Sequence, residues 1–235
     1  MGLQFNNITK IYGDTTVLDI PQLTVNDGEI IGLVGNNGAG KTTMLRLILD
    51  LIKADSGMVL NNGKAVNIHE EWKKYTGSYV DRRFLIPFYT PEEFFSFVAK
   101  LYKISKKELD ARLEEYSQLM NGEILGTHKQ IRHFSEGNQQ KIGIIAAMMT
   151  NPQILLLDEP FNYLDPTSQI IVAKLIKQMN ESLGTTVIVS SHNLTYVSEI
   201  STRVLLLEKG KIIKDIENID GSANKQLTDY FQLNA

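Results

Sequence analysis

Cysteine is absent from the 235 residues, so no disulfide framework and no thiolate metal site can exist. That absence fits a reducing compartment, and a chain this long buries a substantial core without such staples. There is no basic block either. Lys and Arg number 24 against 27 Asp and Glu, a formal charge of −3. A nucleic-acid binder carries a basic stripe or patch, so no nucleic-acid partner is expected. No apolar run reaches the roughly 18 residues of a membrane-spanning helix. Nothing in the sequence is therefore expected to span a membrane. The opening Met-Gly-Leu-Gln-Phe-Asn-Asn has neither a charged start nor an apolar core, so no secretory signal is expected. Gly2 lacks the Ser or Thr that myristoylation needs, because Asn6 stands there. Neither an internal repeat nor a low-complexity linker is present. What remains is an ordinary globular composition, 43% hydrophobic and 22% charged, of a size for one α/β domain or a core with a sub-domain.

The most informative stretch is 30–43. Ile30 to Val34 reads as a short buried strand. Gly35, Asn36, Asn37, Gly38, Ala39 and Gly40 form a turn that bulky side chains could not make. Lys41, Thr42 and Thr43 open an apolar helix expected to run to Ile52. Strand, loop and helix together match G-x-x-x-x-G-K-[ST] in its confirming context. The physics is anion capture: successive N–H groups point inward and the helix N-terminus adds partial positive charge. Lys41 would reach the β- and γ-phosphates, and Thr42 would offer a hydroxyl to Mg²⁺.

Around this loop the chain reads as follows. Leu3–Tyr12 is a strand, and Val17–Val25 a second one broken or edged by Pro21. Met58–Asn61 and Lys64–Ile68 form a hairpin about Asn62-Gly63, and Tyr75–Val80 is another strand. Residues 82–134 then show no convincing strand. They read as an inserted α-helical sub-domain, with a capping box from Thr90 to Glu93 and a further helix from Ser105 to about Met120. Its aromatics, Phe84, Phe88, Tyr89, Phe94, Phe95 and Phe97, exceed what one small helix buries and suggest a partner-docking patch. Ser135 is a natural N-cap for the next helix. Ile154–Leu157 is a fully apolar central strand, Asp165 caps a helix to Leu183, and Thr185–Ser190 is another buried strand. Val204–Leu207 and Lys211–Lys214 pair around Lys209-Gly210, and the polar tail from Glu217 is a terminal helix or loose.

Polar residues fall at three strand ends, where open parallel sheets carry their sites. Strand 30–34 delivers the phosphate loop. Strand 154–157 delivers Asp158, placed to hold Mg²⁺, and Glu159, placed to act as general base. Strand 185–190 delivers His192, placed to sense or stabilise the γ-phosphate.

Over residues 3–215 the chain resembles the ATPase subunit of an ATP-binding cassette (ABC) transporter. Gly35–Thr43 resembles the Walker A segment, and Leu155-Leu-Leu-Asp-Glu-Pro160 the Walker B segment with its catalytic Glu. Asn162-Tyr-Leu-Asp165 resembles the D-loop, and Ser190-Ser-His192 the switch histidine. Tyr12 resembles the aromatic that stacks on adenine. Ser135, 23 residues before Asp158, lies where this family has its signature helix. The resemblance implies a P-loop NTPase core, an α/β fold with a mixed sheet, an antiparallel β sub-domain and the helical insertion. Core residues would be 1–81 and 135–235. It implies ATP and Mg²⁺, catalytic roles for Glu159, His192 and Lys41, and nucleotide contacts from Tyr12, Gly35–Thr43 and Asp165. It also implies head-to-tail dimerisation, with Ser135 and Gly137 serving the ATP of a second ABC subunit. Separate transmembrane permease subunits and a peripheral place on the cytoplasmic face of the membrane follow.

Two departures stand out. The signature, usually Leu-Ser-Gly-Gly-Gln, is Phe134-Ser-Glu-Gly-Asn138, which keeps Ser135 and Gly137 but adds Glu136. Where a Gln normally contacts Mg²⁺ or water stands Asp81, a metal ligand by charge but with shorter reach. These departures suggest one alternative, a catalytically weak regulatory cassette in a heterodimer. Another is a non-transport ABC ATPase, disfavoured by the single cassette without a coiled-coil insertion. Segment 87–93 and the short helical region look more exporter-like than importer-like.

Overall fold

The computed structural model describes residues 2–218 and 221–233. Residues 219, 220, 234 and 235 of the polar tail lie outside the described residues. Two sheets form. The first has the order β2-β1-β4-β5 and is antiparallel, from β1 (Leu3–Tyr12), β2 (Thr15–Val25), β4 (Ser56–Asn61) and β5 (Lys64–Ala65). The second has the order β10-β9-β3-β8-β7-β6. Its members are β3 (Ile30–Val34), β6 (Thr76–Tyr79), β7 (Ile154–Asp158), β8 (Thr186–Ser191), β9 (Arg203–Glu208) and β10 (Lys211–Glu217). All pairings there are parallel except β9 with β10, so the sheet is mixed as expected.

Helix α1 (Lys41–Ile48) lies between the two sheets. Met44, Leu45 and Ile48 pack with Leu3, Phe5 and Ile20 of the first sheet and with Ile31, Leu33 and Leu205 of the second. Burial on both sides makes it the keystone: truncating Met44 or Leu45 to Ala would cost about 2–5 kcal/mol. Successive residues of β7 and β8 alternate between two cores. Ile154, Leu156 and Ile188 face α1, while Leu155, Leu157, Val187 and Val189 face the helices of the opposite layer. That layer holds α5 (Glu136–Met148), α6 (Pro166–Leu183) and the helical region α2 (Pro91–Leu101), α3 (Lys106–Glu115) and α4 (Ser117–Met120). Residues 82–134 contain only helices and short 3-10 turns as regular elements. Their apolar side chains, Phe95 and Leu119 among them, join the core beneath α5 rather than forming a separate one. Helices α7 (Leu194–Ile200) and α8 (Ala223–Leu233) cover Val34, Val204 and Leu206.

Several boundaries differ from the sequence expectation, each for a local reason. α1 ends at Ile48, not Ile52, because Asp50 takes a left-handed conformation and the Leu51 amide bonds back to the Arg46 carbonyl at 2.9 Å. Pro21 does not break β2. That strand is the edge of its sheet, and Pro21 lies opposite Asn7, which drops out of the β1–β2 register with φ of +50°. β5 stops at Ala65 because the Ile68 and His69 amides turn back onto its carbonyl. The helix expected over 105–120 divides at Tyr116, whose ring is buried.

Candidate functional site

The carboxyl ends of β3, β7 and β8 lie side by side, since β8 pairs with both β3 and β7. The loop after β3 owes its path to glycine. Gly35 has φ of +154°, and a Cβ there would sit 2.2 Å from the Leu207 carbonyl oxygen. Gly40, φ +109°, is the N-cap of α1, and a Cβ there would lie 2.8 Å from the Val17 carbonyl oxygen. The loop is thus wedged between β9 and the β1–β2 hairpin. Asn36, Asn37 and Gly38 are exposed at its tip.

Lys41 is buried, 6% exposed. Its Nζ donates to the Gly35 carbonyl at 2.7 Å and the Asn36 carbonyl at 3.4 Å, and stands 3.5 Å from the Glu159 carboxylate. Next to it, Thr42 Oγ1 donates to Asp158 Oδ2 at 2.6 Å, and Ser190 Oγ donates to Asp158 Oδ1. Burial pushes the Asp158 carboxyl above the usual Asp range, against the pull of these two hydroxyls. Glu159 has φ of +47°, a strained conformation for a non-glycine residue. Its backbone is fastened on both sides: the amide donates to Ser190 at 3.0 Å and the carbonyl accepts from Gln140 Nε2 at 3.0 Å. Its Oε2 accepts from the His192 amide at 3.2 Å and lies 2.8 Å from His192 Nδ1. Lys41, Thr42, Asp158, Glu159 and His192 therefore form one connected cluster.

Thr43 is half-buried beside Thr42 in the first turn of α1, and Tyr12 is 50% exposed at the end of β1 with Lys10 Nζ 5.0 Å from its ring centre. Ser135 caps α5, its hydroxyl accepting from the Asn138 amide at 3.2 Å, and Gly137 packs under the Tyr163 carbonyl. Among the described residues, no hydrogen bond or ion pair joins Ser135–Asn138 to the phosphate loop. Asp165 caps α6 and accepts from the Ser168 amide at 3.0 Å and hydroxyl at 2.6 Å. Those bonds hold its carboxyl below the usual Asp range.

Asp81, expected among the metal ligands, is turned elsewhere. Its carboxylate accepts from the Arg83 amide at 2.9 Å and Nε at 2.8 Å, and lies 3.5 Å from Arg46. Arg83 holds its pKa below the ordinary value. The shorter side chain caps the next turn instead of reaching Thr42 or Asp158. Glu136, still half exposed, pairs with Arg82 at 2.7 Å. Two supporting residues escaped the sequence reading. Ser190 was visible only as the first residue of Ser190-Ser-His192, and Gln140 only as a polar residue inside an apolar helix that turns out buried.

Comparison with known proteins agrees with this geometry. The model of the ABC transporter family matches residues 18–162. An uncharacterized ABC transporter ATP-binding protein of Methanocaldococcus jannaschii is 35% identical over 90% of this chain and 76% of its own length. The bacitracin transport ATP-binding protein of Enterococcus faecalis is 33% identical over 91% of this chain and 68% of its own. Among solved structures, an ATP-binding subunit of an ABC transporter superposes with a TM-score of 0.84 at 24% identity, covering 97% of this chain and 94% of that one. A dimeric bacterial ABC transporter cassette superposes at 0.82 with 25% identity, covering 92% and 99%. The chain belongs to the ABC transporter family, as an ATP-binding and ATP-hydrolysing subunit.

Proposed function

We propose that two copies of this subunit, or this subunit and a related cassette, close head to tail around MgATP and drive separate transmembrane permease subunits from the cytoplasmic face of the membrane. The observation that carries this is the convergence of Lys41, Thr42, Asp158, Glu159 and His192 at three adjacent strand ends. The backbone of Gly35–Thr43 and Lys41 would cradle the β- and γ-phosphates, while Tyr12 would stack on adenine. Thr42 and Asp158, already 2.6 Å apart, suit a hard cation such as Mg²⁺, which when bound would neutralise phosphate charge. Asp81 would stay on Arg83 and Arg46 rather than join them.

Hydrolysis would proceed by in-line displacement. A water oxygen attacks the γ-phosphorus as the bond to the bridging β–γ oxygen breaks, giving ADP and phosphate. Glu159 would accept the water proton, and His192 would position its carboxylate and contact the γ-phosphate side. Ser135 and Gly137 of the opposite copy would close the site, because the positive end of the α5 dipole and a hydroxyl attract the γ-phosphate. Support for dimerisation comes from the dimeric cassette that this chain resembles at 25% identity. Permease docking is supported by exposed Phe84 and Phe88 and by a cleft of about 330 Å³ lined by Leu51, Trp72, Tyr79, Phe84 and Tyr102. Cargo and direction would belong to the permease.

Glu159→Gln tests the assignment. Turnover should fall about 10²–10⁴-fold while ATP binding persists and the dimer accumulates. Equal turnover in wild type and variant removes Glu159 from the chemistry. Co-purification from detergent with a multi-span partner tests the transport role.

A further inference from the structure

The two residues that depart from the family pattern are each met by an arginine, and one of these pairs joins segments far apart in the sequence. Arg82 lies in the 3-10 turn after β6, and Glu136 opens α5. Arg82 Nη1 and Glu136 Oε1 are 2.7 Å apart. The same guanidinium covers the ring of Tyr163, 4.8 Å from its centre, on the loop between β7 and α6. The carbonyl of Tyr163 in turn backs onto Gly137, where a Cβ would come within 2.7 Å of it. Arg82 thus ties together the end of β6, the start of α5 and the loop 162–164. Glu136 keeps the Arg82 pKa above its ordinary value.

An exposed ion pair of this kind contributes at most about 1 kcal/mol to folding. Its position gives it another consequence. Glu136 adjoins Ser135, and a free carboxylate at that helix N-terminus would repel the phosphates of an opposing nucleotide. We propose that Arg82 is a positioning residue of the composite ATP site, cancelling the charge of Glu136 and holding it aside so that Ser135 and Gly137 can receive the nucleotide of a second copy. This rests on the dimeric reading given above. It explains how the chain accommodates a carboxylate where the family has glycine.

The experiment is ATP-driven dimerisation in the Glu159→Gln background, followed by sedimentation velocity over a MgATP titration. Adding Arg82→Ala should raise the half-maximal MgATP concentration about fivefold, the size of the repulsion between two like unit charges at close range in water. Adding Glu136→Gln to Arg82→Ala should restore the parent value to within about twofold, although the pair stays broken. A double variant as weak as Arg82→Ala would mean that Arg82 acts only as a structural tie, and it overturns the proposal, as does an unshifted Arg82→Ala curve. A Glu159→Gln parent that binds MgATP yet stays monomeric overturns the dimeric reading itself, and the proposal with it. The two failures are therefore distinguishable.

Discussion

The phosphate-loop face and the signature face are built from different materials. At the first, backbone conformation does the work: Gly35 and Gly40 are confined by neighbouring carbonyls, Lys41 is buried, and Asp158 accepts from two hydroxyls. At the second, partly exposed charged side chains hold one another, as Arg82 holds Glu136. Buried groups fixed from several sides resist change, and exposed pairs are adjustable. The first face therefore suits chemistry common to a large family. The second is where one chain can differ from its relatives.

Lys41→Ala should break the comparison most sharply. It strips the buried cation from the loop and should weaken ATP binding about 100-fold or more by calorimetry. Substitutions at Arg82 should leave that monomer affinity far less affected. A Lys41→Ala protein with near-normal affinity would mean that the backbone alone holds the nucleotide.

Asp158→Asn should act on stability in a pH-dependent way. The folded-state pKa of Asp158 is raised, so its burial stabilises the fold only while it is protonated, and that benefit is lost as pH rises through the folded pKa. At neutral pH the ionised Asp158 is a cost of keeping the site ready. The ligand-free Asn variant should therefore melt higher than wild type at pH 7, with the gain shrinking as pH falls toward the unfolded Asp value. A pH-independent difference would point to packing instead.

Arg83→Ala should have the smallest effect. Arg83 is exposed, so the unfolding midpoint should hardly move. The Asp81 carboxyl should nonetheless titrate higher, because its first stabilising partner is gone. An unchanged Asp81 titration by NMR would show that Arg46 and the local backbone suffice.

Much of the site was legible in the sequence because its chemistry is local. A glycine-spaced loop between an apolar strand and an apolar helix can do little but bind an anion, and Ser135, Asp165 and Thr90 cap helices where their spacing put them. Strand ends at Asp158 and His192 followed from short apolar runs in β7 and β8. Less legible were helix ends such as Ile48, set by a left-handed Asp50, and the aromatic patch. Its six rings divide, with Phe94 and Phe95 buried and Phe84, Phe88, Tyr89 and Phe97 exposed. Period and composition place rings on a helix but do not say which neighbour covers them.

A few consecutive residues each were enough to give the glycine-rich loop, the polar strand ends and the family, because local backbone preferences dominate there. The pairings of Asp81 and Glu136 with arginines came instead from the folded chain. Glu136 meets an arginine from a distant segment, and Asp81 pairs with Arg83 and Arg46 rather than joining Thr42 and Asp158. A flexible charged side chain takes its partner from whatever the fold brings within about 4 Å, and that distance is set by packing far from the residue itself.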